Sequence, residues 1–140
     1  MTGYEEREQS ILFVCVENAG RSVMAEAFAR ANGLKAASAG TFPAKAVNAT
    51  VVHVMKEKGL DVSSYRPRLL TKEMIDAASL VVTMGCSVEA VCPRPMLTRM
   101  EKKLVDWGLE DPKGKEIGQV RKIRDEIQAR VRGLSATQDR

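Results

Sequence analysis

The sequence predicts an α/β fold, a four-stranded parallel sheet with helices on both faces. Two observations carry that expectation. Short apolar runs rich in β-formers alternate along the chain with segments of helical periodicity. The runs are apolar at consecutive positions, as strands buried on both faces should be.

The elements follow in order. Residues 1–9 are polar and read as a short flexible lead-in to a single domain over residues 10–140. Ile11-Leu-Phe-Val-Cys-Val16 is the first strand. A helix follows with Met24, Ala27, Phe28 and Ala31 on one face and Gly33 as its stop. Leu34 to Ala39 is a weaker strand closed by Gly40. Asn48 caps a second helix that runs to Lys58 and stops at Gly59. Thr71 with Met74 starts a short third helix. Leu80-Val-Val-Thr-Met84 is a strand ended by Gly85, and Lys103-Leu-Val-Asp106 is the fourth. The last helix is the clearest, because Val120, Ile123, Ile127, Val131 and Leu134 recur at spacings of three and four.

Composition narrows the function classes. The chain has 140 residues, 44% hydrophobic and 29% charged, which suits one globular domain with its own core. Aromatic residues make up only 4%, which disfavours a base-stacking nucleic-acid surface. A net charge of +4 attracts anions mildly and is no polybasic footprint. No apolar run approaches the roughly 18 residues of a membrane span, and the N-terminus lacks a signal-peptide core. The expected location is the cytoplasm. There, three cysteines read as free, catalytic or metal-binding thiols rather than structural disulfides. No close Cys-x2–4-Cys pair of the kind zinc prefers is present, so neither metal nor cofactor is expected.

In parallel α/β sheets, ligands sit beyond the carboxyl ends of the strands. Cys15 ends the first strand, Cys86 lies just past the third and Asp111 a few residues past the fourth. Three reactive side chains therefore converge on one edge of the predicted sheet.

The segment Cys15-Val16-Glu17-Asn18-Ala19-Gly20-Arg21-Ser22 joins that first strand to the first helix. Its backbone N–H groups face outward at a helix start, where the dipole favours an anion. Val16, Glu17, Asn18, Ala19, Gly20 and Arg21 are thus the candidate oxyanion-binding positions. Gly20 permits close backbone approach and Asn18 tolerates a left-handed conformation. Arg21 carries a planar fork suited to two oxygens, and Ser22 stands where its hydroxyl can donate to the Cys15 sulfur. Such a positive field favours the thiolate, the nucleophilic form of cysteine. The lone histidine, His53, falls mid-helix on another segment, so no histidine base is expected beside Cys15.

Cys15-x5-Arg21-Ser22 followed by Met24-Ala-Glu26 resembles the low-molecular-weight protein tyrosine phosphatase superfamily, and within it the thioredoxin-coupled arsenate reductases. The resemblance extends from Ile11 to Leu134 and takes in Ser38-Ala-Gly40 and Asp106-Trp-Gly-Leu-Glu-Asp111-Pro112. It implies the strand order 2-1-3-4 and a general acid at Asp111. For an arsenate reductase it implies three thiols acting in turn. Cys15 attacks arsenate, Cys86 attacks Cys15 and releases arsenite, and Cys92 attacks Cys86 to leave a disulfide that thioredoxin reduces. The alternative it implies is hydrolysis of phosphate monoesters through a Cys15 phospho-enzyme. Phosphatases of this type have no use for two further thiols. They usually place a cysteine where Gly20 stands and tyrosines after the Asp-Pro pair, where this chain has Lys113 and Gly114. Some of the reductases bind potassium through a Thr-x-Asp pair. Here Arg66 and Arg68 occupy that region, and no cation site is expected.

Overall fold

The computed structural model describes residues 10–85, 98–99 and 101–138, with side chains described up to residue 134. Strands β1 (Ser10–Cys15), β2 (Lys35–Gly40), β3 (Leu80–Thr83) and β4 (Leu104–Asp106) form one sheet in the order β2-β1-β3-β4. Every pairing is parallel, with Cys15 opposite Gly40 and Val14 opposite Thr83. The expected sheet and strand order are therefore the observed ones. The helices described in full are α1 (Arg21–Ala31), α2 (Ala49–Lys56), α3 (Lys72–Ala77) and α4 (Ile117–Gln138).

Strand periodicity divides the core. Ile11, Phe13 and Cys15 of β1 point to one face, where Met24 and Phe28 of α1, Val54 of α2 and Ile123 and Ile127 of α4 cover them. Leu12 and Val14 point to the other, against Ile75 of α3 and Leu70. Phe13 meets Trp107 with ring centroids 5.7 Å apart. Both faces of β1 are sealed, which explains its unbroken apolar run.

The boundaries differ from the expected ones for identifiable reasons. Val16 leaves β1 because its carbonyl turns to accept from the Phe42 N–H at 2.7 Å. Leu34 belongs to the exit of α1, its N–H bonded to Ala29. Gly40 extends β2, since Arg68 and Leu70 pair with it on its outer side. α2 ends at Lys56, and a turn through Gly59, at φ 78°, completes the stop. β3 ends at Thr83, one residue before the expected Met84. Lys103 lies in a 3-10 turn over Glu101–Lys103 rather than in β4. Its ammonium donates to the carbonyls of Ile75 and Ala78 at 2.7 and 2.6 Å, joining the Ala78 N–H and the Ser10 hydroxyl in serving the end of α3. The lead-in expected over residues 1–9 lies outside the described residues.

Candidate active site

β1 ends at Cys15 and α1 begins at Arg21, so the segment between them turns at the carboxyl edge of the sheet. Gly20 is the N-cap of α1 and offers no side-chain cap, which leaves the first-turn N–H groups open to a ligand. A cleft of about 430 Å³ opens over this turn, lined by Cys15, Val16, Glu17, Ala19, Gly20 and Arg21. Ala44, Ala46 and Asn48 form a second wall, and Asp111, Pro112 and Lys113 a third.

The loop is held from inside by Asn18, which is wholly buried at φ 50°. Its backbone N–H donates to the Cys15 sulfur at 3.2 Å. Its side-chain amide donates to Ser22 Oγ at 2.8 Å and Ser38 Oγ at 3.0 Å. The amide oxygen accepts from the Arg68 N–H at 2.9 Å and the Tyr65 hydroxyl at 3.2 Å. A backbone N–H can only donate, so the Arg68 contact fixes which way the amide faces. Ser22 Oγ therefore accepts from Asn18 and is free to donate its own proton to the Cys15 sulfur, 2.9 Å away. Ser38 in turn donates to the buried carboxylate of Glu26 at 2.7 Å, and Glu26 pairs with Arg30 at 2.9 Å. Burial pushes the Tyr65 hydroxyl above the ordinary tyrosine range.

Gly40 completes the support. A Cβ there would stand 2.5 Å from the Val16 carbonyl and 2.9 Å from the Asn18 nitrogen, so only glycine lets the loop lie against β2. Gly20 is tight as well, since a Cβ would meet Pro112 Cγ at 3.0 Å.

Arg21 is buried beneath the cleft. Its Nη1 donates to the carbonyls of Met84 and Leu109 at 3.0 and 2.9 Å, and Nη2 lies 3.6 Å from Asp111 Oδ2. The fork is thus anchored at one tip, with the other turned to the cleft-lining acid. Asp111 is bent over by an Asx turn in which its Oδ1 accepts from the Lys113 N–H at 3.0 Å. Lys113 reaches back to Glu17, with Nζ and Oε2 at 2.9 Å. The Glu17 carboxylate holds the Lys113 ammonium above the usual lysine range, and Asp111 adds to this.

Cys15, Val16, Glu17, Ala19, Gly20, Arg21 and Asp111 thus line one cleft, while Asn18 and Ser22 lie buried behind it. Cys86 and Cys92 lie outside the described residues. His53 is on α2, 3.6 Å from Glu57, and the cleft lining does not include it. Arg68 lies over the Tyr65 ring at 5.6 Å, so its charge rests on an aromatic face behind the loop. Sequence reading passed over the tie of Ser38, Tyr65 and the Arg68 backbone to Asn18, and the Glu17–Lys113 pair. The one available signal was Glu17 itself, a carboxylate in a loop shaped for anions.

An arrangement of this kind can bind a tetrahedral oxyanion and present a sulfur nucleophile to its central atom. The chain belongs to the low molecular weight phosphotyrosine protein phosphatase family, an enzyme family whose model matches residues 10–140. Within that class, the chain is 36% identical over 135 residues to an arsenate reductase of Brevibacillus brevis, covering 94% of this chain and 98% of that one. Two solved structures are also similar. One is an arsenate reductase in its phosphate-binding state, 31% identical with a TM-score of 0.79, covering 92% of this chain and 98% of that one. The other is the YwlE arginine phosphatase of Geobacillus stearothermophilus, 29% identical with a TM-score of 0.79, covering 92% of each chain. No helix among the described residues is long and apolar enough to cross a membrane.

Proposed function

We propose that the protein is a thioredoxin-coupled arsenate reductase whose catalytic domain spans residues 10–140. The observation that carries this reading is the Cys15 sulfur at the cleft, given hydrogen bonds by Asn18 and Ser22 beside a buried Arg21. Among the described residues the cleft lining contains no aromatic side chain to stack on a phosphotyrosine ring. The kinship with arsenate reductases points the same way.

The backbone of residues 16–21 and the Arg21 guanidinium bind arsenate. The Cys15 thiolate attacks arsenic, and an oxygen ligand leaves as water on protonation by Asp111. The Cys86 thiolate then attacks the Cys15 sulfur. The sulfur–arsenic bond breaks with its electron pair passing to arsenic, which departs as arsenite. Cys92 next attacks Cys86 and frees Cys15 as thiolate, and the dithiol of thioredoxin reduces the Cys86–Cys92 disulfide. This chemistry suits the reducing cytoplasm, requires no metal or cofactor, and involves neither nucleic acid nor membrane.

The test is arsenate-dependent oxidation of reduced thioredoxin. The wild-type protein supports it, and Cys86→Ser and Cys92→Ser each abolish it while sparing hydrolysis of a small aryl phosphate. Sustained reduction by either variant overturns the relay. A second reading, a phosphatase working through a Cys15 phospho-enzyme, is favoured by one observation. Cys15, Arg21 and Asp111 alone line the cleft with all that monoester hydrolysis needs. Under that reading, all three proteins would hydrolyse a physiological ester rapidly and none would consume thioredoxin.

A further inference from the structure

Glu17 is anomalous in its setting. It places a carboxylate within a loop whose backbone and arginine are arranged for an anion. Lys113 answers it from the opposite wall, 96 residues away in sequence, with Nζ 2.9 Å from Oε2. Three contacts then join these walls: Asp111 with Arg21, Pro112 against the open face of Gly20, and Lys113 with Glu17. The first two lie at the inner end of the segment. The third joins two half-exposed to exposed side chains, 41% and 67% accessible, both on the cleft lining.

A free oxyanion and an ester differ in what lies beyond the tetrahedral group. The ester carries an organic substituent that must leave through the mouth, whereas the free ion needs no exit channel while bound. We propose that the Glu17–Lys113 pair is a specificity latch across the cleft mouth, favouring free tetrahedral oxyanions over their organic esters. The inference deepens the proposed function and rests on its placing of the oxyanion over Cys15. An ester must part the pair or thread past it. Arsenate and inorganic phosphate pass with the pair closed.

An exposed ion pair is weak, so the latch is modest in size, about two- to fivefold. Its signature is the direction of change. Removing Glu17 makes the cleft more positive and removing Lys113 makes it more negative. A plain charge effect therefore moves the two variants in opposite directions and cancels in the double variant. A latch opens in all three, and the second removal adds nothing to the first.

The experiment compares Glu17→Gln, Lys113→Met and the double variant with wild type. It reads kcat/KM for p-nitrophenyl phosphate and the competitive inhibition constant of inorganic phosphate. The product of these two isolates the ester from the shared oxyanion. That product is expected to rise about two- to fivefold in all three variants alike. An unchanged product, opposite shifts in the single variants, or hydrolysis undetectable throughout overturns the latch. Arsenate-dependent thioredoxin oxidation is run beside it. Intact reduction with an unchanged product sinks only the latch. Absent reduction in the wild type sinks the reductase reading, and the product still judges the latch.

Discussion

The loop over residues 15–22 and the segment Asp111–Lys113 face each other across the same cleft, yet they are held in opposite ways. In the loop, Asn18 and Ser22 are wholly buried, Arg21 is nearly so, and each is bonded to groups that cannot move far. Across the cleft, Asp111 is 57% exposed and Lys113 67% exposed, and both partners of the Lys113–Glu17 pair are wetted by solvent. The loop is preorganised by the core, and the facing segment rests on it through the buried Pro112 and two ion pairs whose Asp111 and Lys113 ends are exposed. The lesson is a division of labour. In the proposed reaction, the groups that must already be in place when an oxyanion arrives sit on the buried side, and those that exchange a proton or admit a substrate sit on the wet side.

The comparison breaks most sharply at Cys15. Cys15→Ser replaces the proposed sulfur nucleophile with a far weaker hydroxyl, and turnover of arsenate and aryl phosphate is expected to vanish together. Residual turnover of either in a steady-state assay would move the nucleophile elsewhere. On the opposite side, Asp111→Asn is expected to lower aryl phosphate kcat about 10²- to 10⁴-fold, the usual worth of a general acid. Its urea unfolding free energy should shift by no more than about 0.5 kcal/mol, as for an exposed surface position. Asn18→Ala inverts that pattern. It takes one donor from each of the buried Ser22 and Ser38 hydroxyls, removes the side-chain acceptor of the Arg68 N–H, and leaves a non-glycine, non-asparagine residue at φ 50°. Urea denaturation should show a loss of about 2–4 kcal/mol. A loss as small as that of Asp111→Asn would erase the distinction between the two sides.

The smallest effect lies away from the cleft and serves as a control. Glu57, beyond the end of α2, takes two arginines of α4, Arg121 and Arg124, at 2.7 Å each. Hydrogen bonds from Arg121 and then Arg124 hold its carboxyl down at about 2, against an ordinary 4.5. A lowered folded-state value means that its stabilisation is present above 4.5 and is lost as the pH falls from there towards 2. Glu57→Gln should flatten the thermal-denaturation profile of stability in that acid range and leave cleft chemistry at neutral pH untouched. An unchanged acid slope would show that the pair contributes nothing.

Much of this architecture was legible in the sequence, because strand burial and helix periodicity are local signals. The unbroken run at 11–16 announced a strand sealed on both faces, and the spacing from Val120 to Leu134 announced α4. What escaped was set by distant partners. Lys103 left its strand because carbonyls of α3 called for a donor, and Gly40 joined β2 because residues 68–70 paired with it. At the cleft, the Cys-x5-Arg spacing drew its weight from standing between a buried strand and a helix, and the Asp-Pro pair from the family resemblance. Asn18 showed only its tolerance of a positive φ. Its ties to Ser38, Tyr65 and the Arg68 backbone join residues 20 to 50 positions apart, and no local pattern records them.

The central claim is that Cys15 opens a three-thiol relay, and a single turnover tests it most directly. Fully reduced protein is mixed with excess arsenate in the absence of thioredoxin, arsenite is counted, and the cysteines are mapped by mass spectrometry of peptides. The relay predicts one arsenite per chain, a disulfide joining Cys86 to Cys92, and a free Cys15. Arsenite formed with Cys86 and Cys92 both still free, or no arsenite at all, would contradict it.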